Sequence, residues 1–197
     1  MNRRAFPLRF AAALGLLMLG IGFGTGCCHK PERSTPSPAV AHPLPELINE
    51  RLLLAREVAW TKFHSGAPIH DPVREAAILA DLVAQGRARG LDHARVEAFF
   101  SAQIAASREV QTELLAVWRA PRHDTGHDAA QASAHRPAHP PLDLRTDIRP
   151  WLDALTPRLL DALPTAPRPD LATATADTLR LDGFSATVIT LATDPLR

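Results

Sequence analysis

The sequence predicts an all-α protein, a helical bundle of the kind that builds its site between long helices. Three observations carry this. From Leu44 to Arg119 the apolar residues recur with the helical period, and no stretch alternates with period two as a half-buried strand would. Ser65-Gly66, Gly90 and Pro121 divide that region into three helix-length segments. The only cysteines, Cys27 and Cys28, precede the helices, so no disulfide framework organises them and the fold must rest on helix packing.

The chain's 197 residues suit one domain plus a leader, and its 46% of apolar residues can fill a core. A net charge of +1 argues against a nucleic-acid groove or a polybasic membrane patch, so no nucleic-acid partner is expected. The 18 prolines cluster in residues 31–45, 121–141 and 150–170 and mark the breaks.

Residues 1–26 read as an export signal. "MNRRAFPLRF" supplies arginines, and "AAALGLLMLGIGFG" is an apolar run too short to span a bilayer comfortably. The "NRRAF" start also faintly resembles a twin-arginine signal. Small residues lead to "GTGCC", where either plain cleavage or lipid attachment at Cys27 fits; lipoprotein signals usually carry Leu where Gly24 stands. An exported, periplasmic protein is expected, free or anchored through Cys27. Residues 27–43 are a polar, proline-rich tether.

The folded domain is expected over 44–197. Its first helix runs through "LPELINERLLLAREVAWTKFHSG" to Gly66. The second opens with Asp71 as N-cap and Pro72 at the first helical position, and stops at Gly90. The third is capped by Asp92 and closed by Pro121. Residues 121–141 then interrupt the pattern as a flexible insertion. Its four histidines, His123, His127, His135 and His139, have a spacing that could suit zinc on a helix, but they lie among Pro, Gly and Asp with no cysteine, so no metal is expected. A fourth helix starts near Asp147, because Pro150 is tolerated only in a first turn, and buries Leu152, Leu155, Leu159 and Leu163. A short helix over 170–180 follows, and the remaining residues give no clear pattern.

Polar residues on the apolar faces point to function. At about 100° per residue, Arg51 and Lys62 both fall at the centre of the first helix's apolar stripe, while Arg56, Asn49 and Glu46 lie opposite, on the expected wet face. An unpaired buried cation costs several kcal/mol. Each alone could snorkel or pair with an acid, but two in register imply something negative between them. On the third helix, Ser107 and Gln111 share a face with Phe100, Ile104, Leu115 and Trp118. Each needs a polar partner, which for single residues is often the preceding carbonyl or a neighbouring helix. Arg74 joins from the first turn of the second helix, flanked by Asp71 and Glu75, whose plain roles are cap and dipole partner. This set offers cations and neutral donors without a nucleophile–base pair. It suits an oxygen-rich dianion and a reaction that needs only folding and charge stabilisation. No cofactor is implied, and the chain's lack of Glu-x-x-His excludes a di-iron bundle of the familiar type. A non-enzymatic helical module that binds a small dicarboxylic or aromatic ligand remains open on these residues.

The order Arg51, Lys62 eleven later, "DPVRE" with Arg74 twelve after the lysine, and "QIAASREVQ" resembles the all-helical chorismate mutases. The similarity runs over about residues 44–163, and the export signal with a helix after the insertion resembles the secreted subclass. The resemblance implies conversion of chorismate to prephenate within one chain's site, and a homodimer. It implies that Arg51, Arg74 and Arg149 clamp the carboxylates, with Arg145 as the alternative to Arg149. Lys62 and Gln111 would donate to the ether oxygen; Ser107, Asp71 and Glu75 would complete the substrate contacts. The subclass commonly has a C-terminal disulfide, which this sequence lacks, so the C-terminal architecture is open.

Overall fold

The computed structural model describes residues 43–120 and 136–197. The export signal, the tether with Cys27, and His123, His127 and His135 lie outside the described residues. Among those described there are helices and no strands: α1 Leu44–Ser65, α2 Pro72–Ala88, α3 His93–Arg119, a π-helical turn Leu144–Ile148 leading into α4 Arg149–Ala162, then α5 Pro169–Leu181 and α6 Ala186–Thr193.

Local chemistry sets the ends. Gly66 closes α1 at φ 69°, a left-handed conformation that glycine adopts without a Cβ penalty, and its N–H donates to the Lys62 carbonyl at 2.9 Å. Asp71 caps α2 by accepting from the Arg74 N–H at 3.0 Å, and Asp92 caps α3 by accepting from Arg95 N–H at 2.9 Å. The fourth helical segment begins earlier than Asp147. Asp143 Oδ1 accepts from the N–H groups of Arg145 and Thr146, and the wide turn delivers the chain to Pro150, which has no N–H to leave unpaired.

The long helices α1 and α3 form the centre; α2 lies on α3, α4 and α5 on α1, and α6 on α3. Leu44, Ile48 and Leu52 of α1 meet Phe99 and Phe100 of α3 and Leu155 and Leu159 of α4 in one fully buried core. Burying side chains of this size contributes about 1.5–3 kcal/mol each. The final helices extend that core through Leu179, Val188 and Leu196. Gln103, fully buried on α3, donates to the Ala192 carbonyl at 3.0 Å, which fixes α6 against α3 by more than apolar contact.

Two sequence expectations change here, and the C-terminal architecture left open is filled in. The face of α1 assigned to water is partly covered. Asn49 donates to the Asp182 carboxylate, Arg56 donates to the Asp182 carbonyl at 2.6 Å, and the Arg56 guanidinium lies 4.3 Å from the centre of the Phe184 ring. The distal end of the 121–141 insertion is held rather than free. Trp60 Nε1 donates to the His139 carbonyl at 3.0 Å, and His139 Nε2 lies 3.3 Å from Glu57. The C-terminus, lacking a disulfide, is clasped by Arg95. Its guanidinium donates to the carbonyls of Pro164 (2.8 Å), Pro195 (3.0 Å) and Ala166 (3.1 Å), tying the α4–α5 link and the chain end to the start of α3.

α2 and α3 approach closely at Gly86. A Cβ there would stand 2.6 Å from Val96 Cγ2, and Val96 is fully buried. Gly86→Ala should therefore lower stability by about 1–3 kcal/mol in denaturant unfolding, despite alanine's better helix propensity, and Val96→Ala in the same chain should recover part of the loss. A Gly86→Ala protein more stable than its parent would show that the helices do not meet this closely.

Candidate active site

Between α1, α2, α3 and the start of α4 lies a cavity of about 880 Å³. All eight residues singled out from the sequence line it: Arg51 and Lys62 from α1, Asp71 from the preceding loop, Arg74 and Glu75 from α2, Ser107 and Gln111 from α3, and Arg149 from the start of α4. Arg145, the alternative to Arg149, is an exposed residue of the π-helical turn and does not line the cavity.

Each helix brings its polar groups to the cavity for a local reason. Arg51 and Lys62 are eleven residues, about three turns, apart and so share a face of α1. The Asp71 cap and Pro72 fix the first turn of α2, which orients Arg74 and Glu75 toward α1 and α3. Ser107 and Gln111 are one turn apart on α3; Gln111 Nε2 donates to the Ser107 carbonyl at 3.0 Å and lies 3.4 Å from Ser107 Oγ. Gln111 is buried, and its Oε1 has no partner.

The electrostatics are uneven. Among the described residues Arg51 Nε is buried without an acceptor, and burial pushes the guanidinium's pKa down to about 10. It is still charged at neutral pH. Lys62 Nζ donates to the Ile69 carbonyl at 3.1 Å. Burial first, and then the Arg74 charge, lower the Lys62 pKa, against the opposing pull of Glu75 and Asp71. Glu75 is itself engaged: its carboxylate lies 3.3 Å from Arg108 and 3.7 Å from His70, and accepts from the Asp71 N–H at 3.4 Å.

Among the described residues five cationic side chains line the cavity, since Arg108 joins Arg51, Lys62, Arg74 and Arg149. Val58, Ile69, Ile78 and Ile104 supply apolar wall between them. Among the described residues the lining contains no histidine or cysteine, and the Ser107 hydroxyl neighbours an amide rather than a base. The arrangement can bind a compact dianion against an apolar surface and stabilise charge that develops on it. It contains no pair suited to covalent catalysis.

Sequence reasoning missed Arg108, although it lies only three residues before Gln111, on the edge of the same face. It also missed Asp81, Gln85, Asp153 and Thr156, which complete the lining. Thr156 stands one turn from Leu152 and Leu159 on the apolar face of α4, a signal that could have found it, whereas nothing in periodicity marks Asp81, Gln85 or Asp153.

The model of the family described as chorismate mutase type II matches residues 43–112, which contain every predicted site residue except Arg149. The crystal structure of a chorismate mutase from Burkholderia thailandensis is 34% identical, covers 79% of this chain and 98% of its own, and superposes with a TM-score of 0.64. The chain belongs to the chorismate mutase family. Two curated relatives are named secreted chorismate mutases. That of Yersinia pestis is 33% identical over 72 residues, and that of Mycolicibacterium smegmatis is 34% identical over 77. Those matches span 36% and 39% of this chain but only 39% and 42% of the relatives' lengths. The residues matched by the family model, 43–112, span α1, α2 and most of α3 and hold Arg51, Lys62, Arg74 and Arg108, while Arg149 lies beyond them.

The unpartnered Arg51 generates a stability prediction. Burial holds its folded pKa at about 10, below the usual arginine range, so from about pH 10 upward the unfolded chain binds the extra proton, and stability rises with pH across that window. Below it, the cost of burying the charge is present in full, about 2 kcal/mol after allowance for the residue's partial exposure. Arg51→Met should therefore leave the ligand-free protein as stable as its parent at pH 7, or up to about 2 kcal/mol more stable. A loss of more than about 1 kcal/mol in denaturant unfolding would mean that the guanidinium has a stabilising partner within the protein.

Proposed function

We propose that this protein is a chorismate mutase that rearranges chorismate to prephenate in one pericyclic step. The observation that carries the proposal is the Arg51–Lys62–Arg74–Arg149 cavity, with the Gln111 amide in its wall and no partner for Arg51 Nε. Chorismate carries two carboxylates. Its reaction breaks an ether C–O bond while a C–C bond forms, and needs no acid, base or covalent intermediate. What it needs is a compact near-attack shape, and donors where negative charge grows on the ether oxygen.

In this reading Arg51, Arg74 and Arg149 hold the carboxylates with fork-shaped donors, and the apolar wall folds the enolpyruvyl arm over the ring. Lys62 and Gln111 donate to the ether oxygen. Ser107 and Glu75 orient the ring and its hydroxyl, and Asp71 fixes the turn that presents Arg74. The secreted relatives support export, as does the signal-like N-terminus, and the periplasm suits both. No helix among the described residues is long and apolar enough to cross a membrane. Lipid attachment at Cys27 and a homodimer belong to the same proposal.

The direct test is the loss of chorismate absorbance on adding purified protein. Catalysed loss with formation of prephenate is expected, and a rate equal to the buffer blank would overturn the proposal.

The role given to Gln111 makes a sharper prediction. Its amide donates at every pH, so kcat should stay nearly flat from about pH 5 to about 8.5. A glutamate there would be buried, would face the Ser107 carbonyl and would meet the substrate dianion, all of which raise its pKa. Gln111→Glu should therefore lose kcat toward neutral pH and regain it in acid. The same flat profile in both proteins would remove Gln111 from the reacting atoms.

A further inference from the structure

Arg108 reaches the cavity from α3 and meets Glu75 of α2 at 3.3 Å, across the gap in which the substrate is held. Glu75 is the one carboxylate in the cavity whose proposed role is to touch a ligand that is itself doubly negative. Such a group helps only if its own charge is balanced from outside the substrate's volume. The charged and titratable groups near it are Lys62 from α1, His70 and Asp71 from the loop, Arg74 beside it on α2 and Arg108 from α3, with Arg149 and Asp153 on the far wall. Lys62, Arg74 and Arg149 are committed to substrate in the mechanism above, and His70 is more than half exposed. Arg108 is the remaining permanent cation.

We infer that Arg108 is a positioning residue: it holds the Glu75 carboxylate to the α3 side of the cavity and cancels its charge, so that a dianion can bind beside it. Arg108 is about one-third exposed, and Glu75 is more deeply covered. An ion pair this exposed contributes little to stability. Its consequence is for binding. With Arg108 removed, Glu75 repels the dianion in ground state and transition state alike, so the defect falls on KM rather than kcat.

This inference rests on the chorismate mutase reading, so the parent protein must first turn over chorismate; failure there would refute that reading and leave no substrate on which Arg108 could act. With an active parent, Arg108→Met should raise KM about tenfold at pH 7.5 with kcat within about twofold, the effect of one uncompensated charge a few ångströms from a dianion. Arg108→Lys should stay within about threefold of the parent. In a Glu75→Gln background, Arg108→Met should have little further effect on KM, because no charge is left to balance. Equal KM for Arg108→Met and parent would overturn the inference. So would an undiminished tenfold effect in the Glu75→Gln background, which would make Arg108 a direct contact of the substrate instead.

Discussion

Arg51 stands on the buried side of α1 with its Nε atom lacking an acceptor, and Lys62 follows on the same face. Two positive charges on the inner face of a central helix constrain what surrounds them. The neighbouring helices cannot close on that face with apolar side chains, since closure would strip both cations of solvent with nothing in return. The cavity is the structural consequence. α2 meets α3 at Gly86 and leaves its first turns, with Arg74 and Glu75, over the cations rather than against α1. The same charges that would destabilise an ordinary core become favourable when a dianion fills the space. In the proposed function, stability and binding thus oppose each other at Arg51.

The remainder of the bundle compensates by anchoring α1 and α3 on their other faces. The core of Leu44, Ile48, Leu52, Phe99 and Phe100 does most of this, and the last two helices extend it. Arg95 binds three backbone carbonyls from two separate segments. A disulfide would join such segments by one covalent link, whereas the guanidinium fork joins them through donors matched to carbonyls that would otherwise face water or nothing. With the C-terminal segments held in this way, the ends of α1 and α3 near the cavity need no covalent tie.

Most of the cavity's polar lining on α1 and α3 was legible because helical period alone places it. Arg51, Lys62, Ser107 and Gln111 lie on single helices, and about 100° per residue suffices to show that polar groups occupy apolar faces. Arg74 and Glu75 were legible through the Asp71-Pro72 helix start. Arg149 was not reachable in that way, because a proline-rich stretch separates it from α3 and erases the register; only resemblance assigned it. Asn49 and Arg56 were misjudged as solvated because their partners, Asp182 and Phe184, are distant in sequence and belong to a segment without a strong pattern. The Arg95 clasp was invisible for a different reason: its acceptors are backbone carbonyls, which every residue possesses. Local period reveals which face a residue occupies, and says nothing about what arrives from elsewhere to cover it.

The central claim is that the substrate supplies the counter-charge that the protein withholds from α1. The most direct measurement follows the Lys62 ammonium by nitrogen NMR across a pH titration, in the free protein and in the protein saturated with a stable dicarboxylate that mimics the folded substrate. In the free protein Lys62 should titrate below the ordinary 10.5, because burial and the Arg74 charge both oppose its proton. With the dianion bound, its pKa should rise, and the ligand should bind progressively more weakly as pH passes the free-protein value. A Lys62 pKa that is the same with and without ligand would contradict the account, because the dianion would then not lie beside the cation that the helix buries for it.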